Sequence, residues 1–116
     1  MNLDLMTVPA KFVPISRSVE KTLLKTIRKA MDKSKQYNFV DESTNISYCV
    51  SFNMYQKGAL AVSVVDFDLL PNASVLNLLE PIFGEPTKQF SNPWVRDNRA
   101  IFYLAVWERV MVAKRF

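Results

Sequence analysis

Three groupings in this sequence have the residue types and spacing to do chemistry. They are a cation-rich stretch at 17–35, an aspartate pair at Asp66 and Asp68, and a tryptophan set among polar residues at Trp94. In the first, Arg17, Lys21, Lys25, Arg28, Lys29, Lys33 and Lys35 stand against Glu20 and Asp32, a net of +5, whereas the rest of the chain sums to −1. Such a stripe can neutralise several phosphates of a nucleic acid, with affinity that falls steeply as salt rises. It can equally dock on an acidic protein surface and speed encounter by electrostatic steering. It is also what the wet side of an ordinary helix looks like, because lysine is a good helix former with a soluble head. Five of the seven cations are lysines, which lack the fork that suits arginine to phosphate. Asp32 sits three and four residues from Lys29 and Arg28, where it partly offsets them.

The aspartates of Asp66-Phe67-Asp68 leave a strand end on one face, and two hard oxygen ligands hold Mg²⁺ when phosphate and water complete its shell. A metal-dependent nuclease needs further carboxylates and a lysine brought close. No such motif follows, so the pair is expected to be structural, and neither metal nor cofactor is assigned. The chain contains no histidine, which leaves Cys49 and every serine without the usual general base. A histidine-free chain with one cysteine also lacks the common zinc ligand sets. Both glycines stand alone, and nothing resembles a phosphate-cradling loop. No catalytic residue is expected, and the chain reads as a non-enzyme. Trp94 has Arg96 and Arg99 beside it in SNPWVRDNR, the composition of a binding hot spot or a base-stacking platform. A large aromatic of this kind also serves as a core-edge residue tucked under a helix.

These residues need elements to hold them. The basic stretch is predicted to be a helix over 17–35, with Ser16 or Ser18 as its N-cap. At helical spacing Val19, Leu23, Leu24, Ile27, Ala30 and Met31 fall within an arc of about 140°, opposite the cations. A short strand at 36–40 and a turn at DESTN follow. ISYCVSFNMY then alternates, placing Ile46, Tyr48, Val50, Phe52 and Met54 on one face. Gln56-Lys57-Gly58 closes a hairpin, and the return strand puts Leu60, Val62 and Val64 on one side.

A second helix is predicted after Pro71, N-capped by Asn72 and heavily buried through Val75, Leu76, Leu78, Leu79, Ile82 and Phe83. Pro81 removes a backbone donor, so the regular helix should end or kink near there. Beyond Gly84 and Pro86, PWVR reads as a short strand with Asp97-Asn98 as its turn. RAIFYLAVW, apolar on both faces, reads as a central strand covered on each side. After a bend at Glu108-Arg109, VMVAKRF reads as a last, edge strand whose Lys114 and Arg115 discourage unwanted pairing.

The expected fold is a single α+β domain over 1–116, with residues 1–14 as an extended arm. A mostly antiparallel sheet of about four to six strands carries two helices, in the order α-β-β-β-α-β-β-β, with a faint αβββ duplication. At 116 residues, 49% hydrophobic and 22% charged, the chain has the composition of a globular domain that needs no disulfide. One cysteine fits a reducing compartment. The opening MNLDLMTVPA lacks a signal-peptide pattern, and Ala100 to Trp107 is too short to span a bilayer. The setting expected is the cytoplasm, away from membranes.

The expected function is a small interaction protein that binds or inhibits another protein. Its contact surface is drawn from Lys21, Lys25, Arg28, Lys29 and Lys33, with Trp94 and Arg96. Small motif-free chains are often phage or mobile-element products that block host machinery, which suggests an inhibitor. The competing expectation is a small nucleic-acid-binding protein using the same helix on phosphates. A structural subunit that forms homo-oligomers is a third.

Overall fold

The computed structural model describes residues 7–9, 15–66, 72–92, 94–96 and 101–110. The cation-rich stretch is helix α1, Arg17–Lys33. Ser16 caps it, its Oγ accepting from Val19 N–H at 3.2 Å, and Glu20 in the first turn suits the positive end of the helix dipole. The helix stops two residues before the predicted end because Ser34 turns left-handed (φ 52°, ψ 52°) and Lys35 N–H closes onto Ala30 O at 3.2 Å. Val19, Leu23, Ile27, Ala30 and Met31 are buried, and Leu24 is half-buried at the margin of the stripe.

The chain then forms a meander of β2 (Gln36–Asp41), β3 (Ile46–Phe52) and β4 (Leu60–Asp66). β1 is Thr7–Pro9, at the front of the chain. Asp41 makes the β2–β3 turn. Its Oδ1 accepts from Ser43 N–H at 3.1 Å and Ser43 Oγ at 2.8 Å, and its Oδ2 accepts from Thr44 Oγ1 at 2.9 Å. Burial pushes this carboxyl up, but the combined Ser43 and Thr44 hydrogen bonds outweigh it and leave Asp41 below its ordinary value. A lowered carboxyl contributes stability above its unfolded-state pKa, and loses it as pH falls through the folded one. Asp41→Asn should therefore be less stable than the native chain at neutral pH, with the gap closing on acidification. Urea melts at neutral and acidic pH check this, and a gap independent of pH would refute it.

The alternation expected for Met54 fails, and Met54 is exposed. Asn53 takes a left-handed φ of 66°, its Oδ1 accepts from Gly58 N–H at 2.6 Å, and its Nδ2 donates to Ser34 Oγ at 2.8 Å. The strand thus ends at Phe52, and 53–58 is a loop rather than a strand extension. Gly58 (φ 79°) supplies the positive dihedral that closes it.

Helix α2, Asn72–Phe83, contains one correction. Asn72 is its first helical residue rather than the residue before it. Pro81 lies inside the helix, which ends close beyond it at Phe83, as expected. The acceptor that Pro81 leaves without a donor is the carbonyl of Asn77, and both residues are exposed, so water can satisfy it. Gly84 N–H closes the last turn onto Glu80 O at 2.8 Å. Of the predicted buried set, Val75 and Leu79 are fully buried, while Leu76, Leu78, Ile82 and Phe83 are half-buried.

The last part of the chain departs most from expectation. Strand β5 (Lys88–Asn92) was not anticipated, and it pairs with β7 (Ile101–Trp107). Strand β6 (Trp94–Arg96) pairs with β1 in a separate antiparallel ribbon, not with β7 as the proposed Asp97-Asn98 turn required. Asp97-Asn98 lies outside the described residues, as do VMVAKRF after Val110, with Lys114 and Arg115. Glu108-Arg109 is a turn, as expected.

The result is an α+β fold built on a five-stranded antiparallel sheet, order β2-β3-β4-β7-β5, with two helices packed on it. Among the described residues its edges are β2 and β5, and the C-terminal segment expected at an edge lies outside them. The faint αβββ repetition survives in element order only. The first half is a meander, whereas in the second β5 pairs directly with β7 and β6 leaves the sheet.

The pairing registers sort the sheet into two faces. Rows such as Tyr37–Val50–Val62–Ala105 and Phe52–Leu60–Trp107 lie on one face. These join Val19, Leu23 and Ile27 of α1 and Val75 and Leu79 of α2 in a single core. The other face carries Asn38–Cys49–Ser63–Leu104–Phe90 and Gln36–Ser51–Ala61–Val106–Lys88. β7 was expected to be covered on both sides. On this second face Val106 is buried and Leu104 half-buried, but the core residues of both helices belong to the first face. No helix among the described residues is long and apolar enough to cross a membrane.

Candidate partner interface

The apolar stripe of α1 is sunk against β2 and β3, so its opposite arc must face outward. All seven cations, Arg17, Lys21, Lys25, Arg28, Lys29, Lys33 and Lys35, are exposed. Asp32 stands 4.0 Å from Lys33 Nζ, with both side chains well exposed. A contact this long between solvated groups leaves the charge of the stripe largely intact. Lys29 Nζ stands 5.1 Å from the centroid of the Tyr37 ring, which ties that end of the stripe to β2.

The structure does not bring Trp94 and Arg96 to this helix as part of the same element. They lie on β6, in the ribbon with β1, and their side chains are outside the described residues. Asp66 ends β4, and its side chain, like all of Asp68, is also outside the described residues. Among the described residues no group of three histidines, cysteines or carboxylates is placed to hold a metal. Cys49 is a free, half-buried cysteine on the second sheet face.

Two features were missed in the sequence. One is the second sheet face itself. A shallow hollow of ~180 Å³ there is lined by Tyr55, Lys88, Gln89, Phe90, Leu104 and Val106, with Phe90 70% and Tyr55 61% exposed. Lys88 bonds Glu108 at 3.4 Å; that hydrogen bond and charge, with Tyr55 adding to them, raise it above the ordinary lysine value. The other feature is a groove of ~450 Å³ between the start of α1 and β2, lined by Ser16, Ser18, Val19, Thr22, Phe39 and Val40 together with the 41–43 turn. No sequence signal marks either, because both depend on which strands lie at the edge and on which face the helices sit.

What the arrangement can do is bind. It offers a predominantly cationic, solvent-facing helix surface and, beside it, a sheet edge unpaired among the described residues. Comparison with protein-family models, with curated proteins and with solved structures finds no match to this chain, so its geometry alone carries the functional argument.

Proposed function

We propose that this chain is a small non-enzymatic protein-binding module that engages an acidic surface of a partner protein through the outward arc of α1. Inhibition of that partner, in the cytoplasm and in the manner of a phage or mobile-element product, is the form of activity this reading favours. One observation carries it: Arg17, Lys21, Lys25, Arg28, Lys29 and Lys33 lie exposed along α1, with the exposed Lys35 just past its end. A preponderance of lysine over arginine favours long-range attraction to an acidic protein over bidentate recognition of phosphates.

The test is recovery of bound material from lysate with and without nuclease, followed by kinetics with the recovered polypeptide. A stoichiometric polypeptide that survives nuclease is expected. Lys21→Glu with Lys25→Glu should slow its association by about tenfold or more while leaving folding unchanged, because both side chains are exposed. Loss of the bound fraction on nuclease treatment would instead assign the stripe to nucleic acid. Binding to generic duplex that weakens linearly in log salt would do the same.

A further inference from the structure

The outer edge of β2, unpaired among the described residues, supports an inference that charge alone does not. Phe52 N–H donates to Lys35 O at 3.3 Å, which makes Lys35–Phe52 a hydrogen-bonded step of the β2–β3 ladder. An antiparallel ladder alternates from such a step, so Tyr37, Phe39 and Asp41 turn their backbone groups toward Val50, Tyr48 and Ile46. The N–H and C=O groups of Gln36, Asn38 and Val40 consequently point away from the sheet, and all three residues are exposed. Among the described residues these outward groups make no backbone hydrogen bond. Edges are usually guarded by proline, a charge or a bulge. β2 pairs without a break and has no proline; its one charge, Asp41, is held by its own turn at the far end.

The space beside this edge has a shape and a polarity. Ser18 and Thr22 line the groove, and Thr26 and Lys29 continue the same line along α1 at helical spacing. Thr22 Oγ1 and Thr26 Oγ1 donate back to the carbonyls of Ser18 and Thr22, at 3.0 and 2.7 Å, so this line is short and already satisfied. Asp41 and Glu42 border one end of the edge. Lys29, over Tyr37, and the exposed Lys33 and Lys35 border the other.

We infer that β2 is a strand-addition site for an extended segment of a partner polypeptide, with carboxylates at the end that meets Lys29, Lys33 and Lys35. The inference rests on the partner being a protein, as proposed above, and adds how it is held. Backbone hydrogen bonds to Gln36, Asn38 and Val40 supply affinity, alternate side chains of the segment enter the groove beside Val19, Thr22 and Phe39, and the charge gradient sets direction. A second copy fits this edge poorly, because antiparallel β2–β2 pairing brings two strongly cationic helices to one seam.

The probe is a short synthetic peptide alternating valine with glutamate, followed by amide NMR. Its controls are the same peptide methylated on alternate backbone nitrogens, and a version with lysine in place of glutamate. The glutamate peptide should shift and protect the amides of Gln36, Asn38 and Val40, and the methylated peptide should not. Asn38→Pro deletes an outward N–H without breaking the β2–β3 ladder, and should weaken binding by about tenfold or more. If that variant fails to fold, the methylated peptide makes the same test on the native chain. Shifts confined to α1, with β2 silent, overturn the strand-addition site and leave the basic-helix reading standing. Equal binding of the glutamate and lysine peptides at β2 overturns the carboxylate requirement and the basic-helix reading together. A concentration-dependent dimer abolished by Asn38→Pro assigns the edge to a second copy and overturns the proposal.

Discussion

Leu23→Ala is expected to destabilise the fold by about 2–5 kcal/mol, the usual range for emptying a packed leucine site. Leu23 is fully buried at the middle of the apolar stripe of α1, in the core it shares with Val50 and Val62 of the sheet. The cost has two parts, the lost transfer of three carbons from water and the void that rigid strands cannot close. Domains of this size are typically stable by only about 5–15 kcal/mol, so the variant should lose a large share of its margin. Leu24 provides the internal comparison. It is half-buried at the edge of the stripe, and Leu24→Ala should cost well under half as much. Urea denaturation of both variants measures the difference, and equal losses would mean that α1 is not seated as described. The consequence reaches function, since the outward cations keep a common direction only while Leu23 and Ile27 hold the opposite face down.

Trp107→Ala should cost about 3–5 kcal/mol, and Trp107→Phe nearer 1 kcal/mol. The indole does two separable things. Its rings are buried at the end of β7, opposite Leu60 in the ladder and 6.1 Å from the Phe83 ring at a tilt of 53°. Its Nε1–H donates to Gly84 O at 2.8 Å, just beyond the last turn of α2. The side chain therefore fastens the C-terminal end of α2 to the inner strand of the second half. Phenylalanine keeps most of the burial and loses the hydrogen bond, which isolates the smaller contribution. Thermal melts of the two variants decide it: a Phe variant as weak as the Ala variant would make the Gly84 bond, not the packing, the dominant contact.

Periodicity carried much of the architecture. The stripe Val19, Leu23, Ile27, Ala30, Met31 predicted the buried side of α1, and the alternation from Ile46 to Phe52 predicted the core face of β3. Those patterns are local and repeat at the spacing of the element itself, so they can be read one residue at a time. β5 gave no such signal, because KQFSN is an edge strand of mostly polar residues whose Phe90 is exposed. Met54 misled for a related reason. It obeys a local rule of alternation that its neighbour overrides, Asn53 by turning left-handed.

For the candidate interface, the division is sharper. The sequence alone determined that a cationic arc and an apolar arc share one helix, since helical geometry separates residues at 100° steps whatever the rest of the chain does. Only the tertiary structure decided what lies beside that arc. Among the described residues, strand order β2-β3-β4-β7-β5 leaves β2 unpaired on one side, and antiparallel alternation turns Gln36, Asn38 and Val40 outward along the groove under α1. Which strand becomes an edge depends on pairings between residues far apart in the chain. No local pattern encodes that choice, because the same alternating side chains suit an inner strand and an outer one alike.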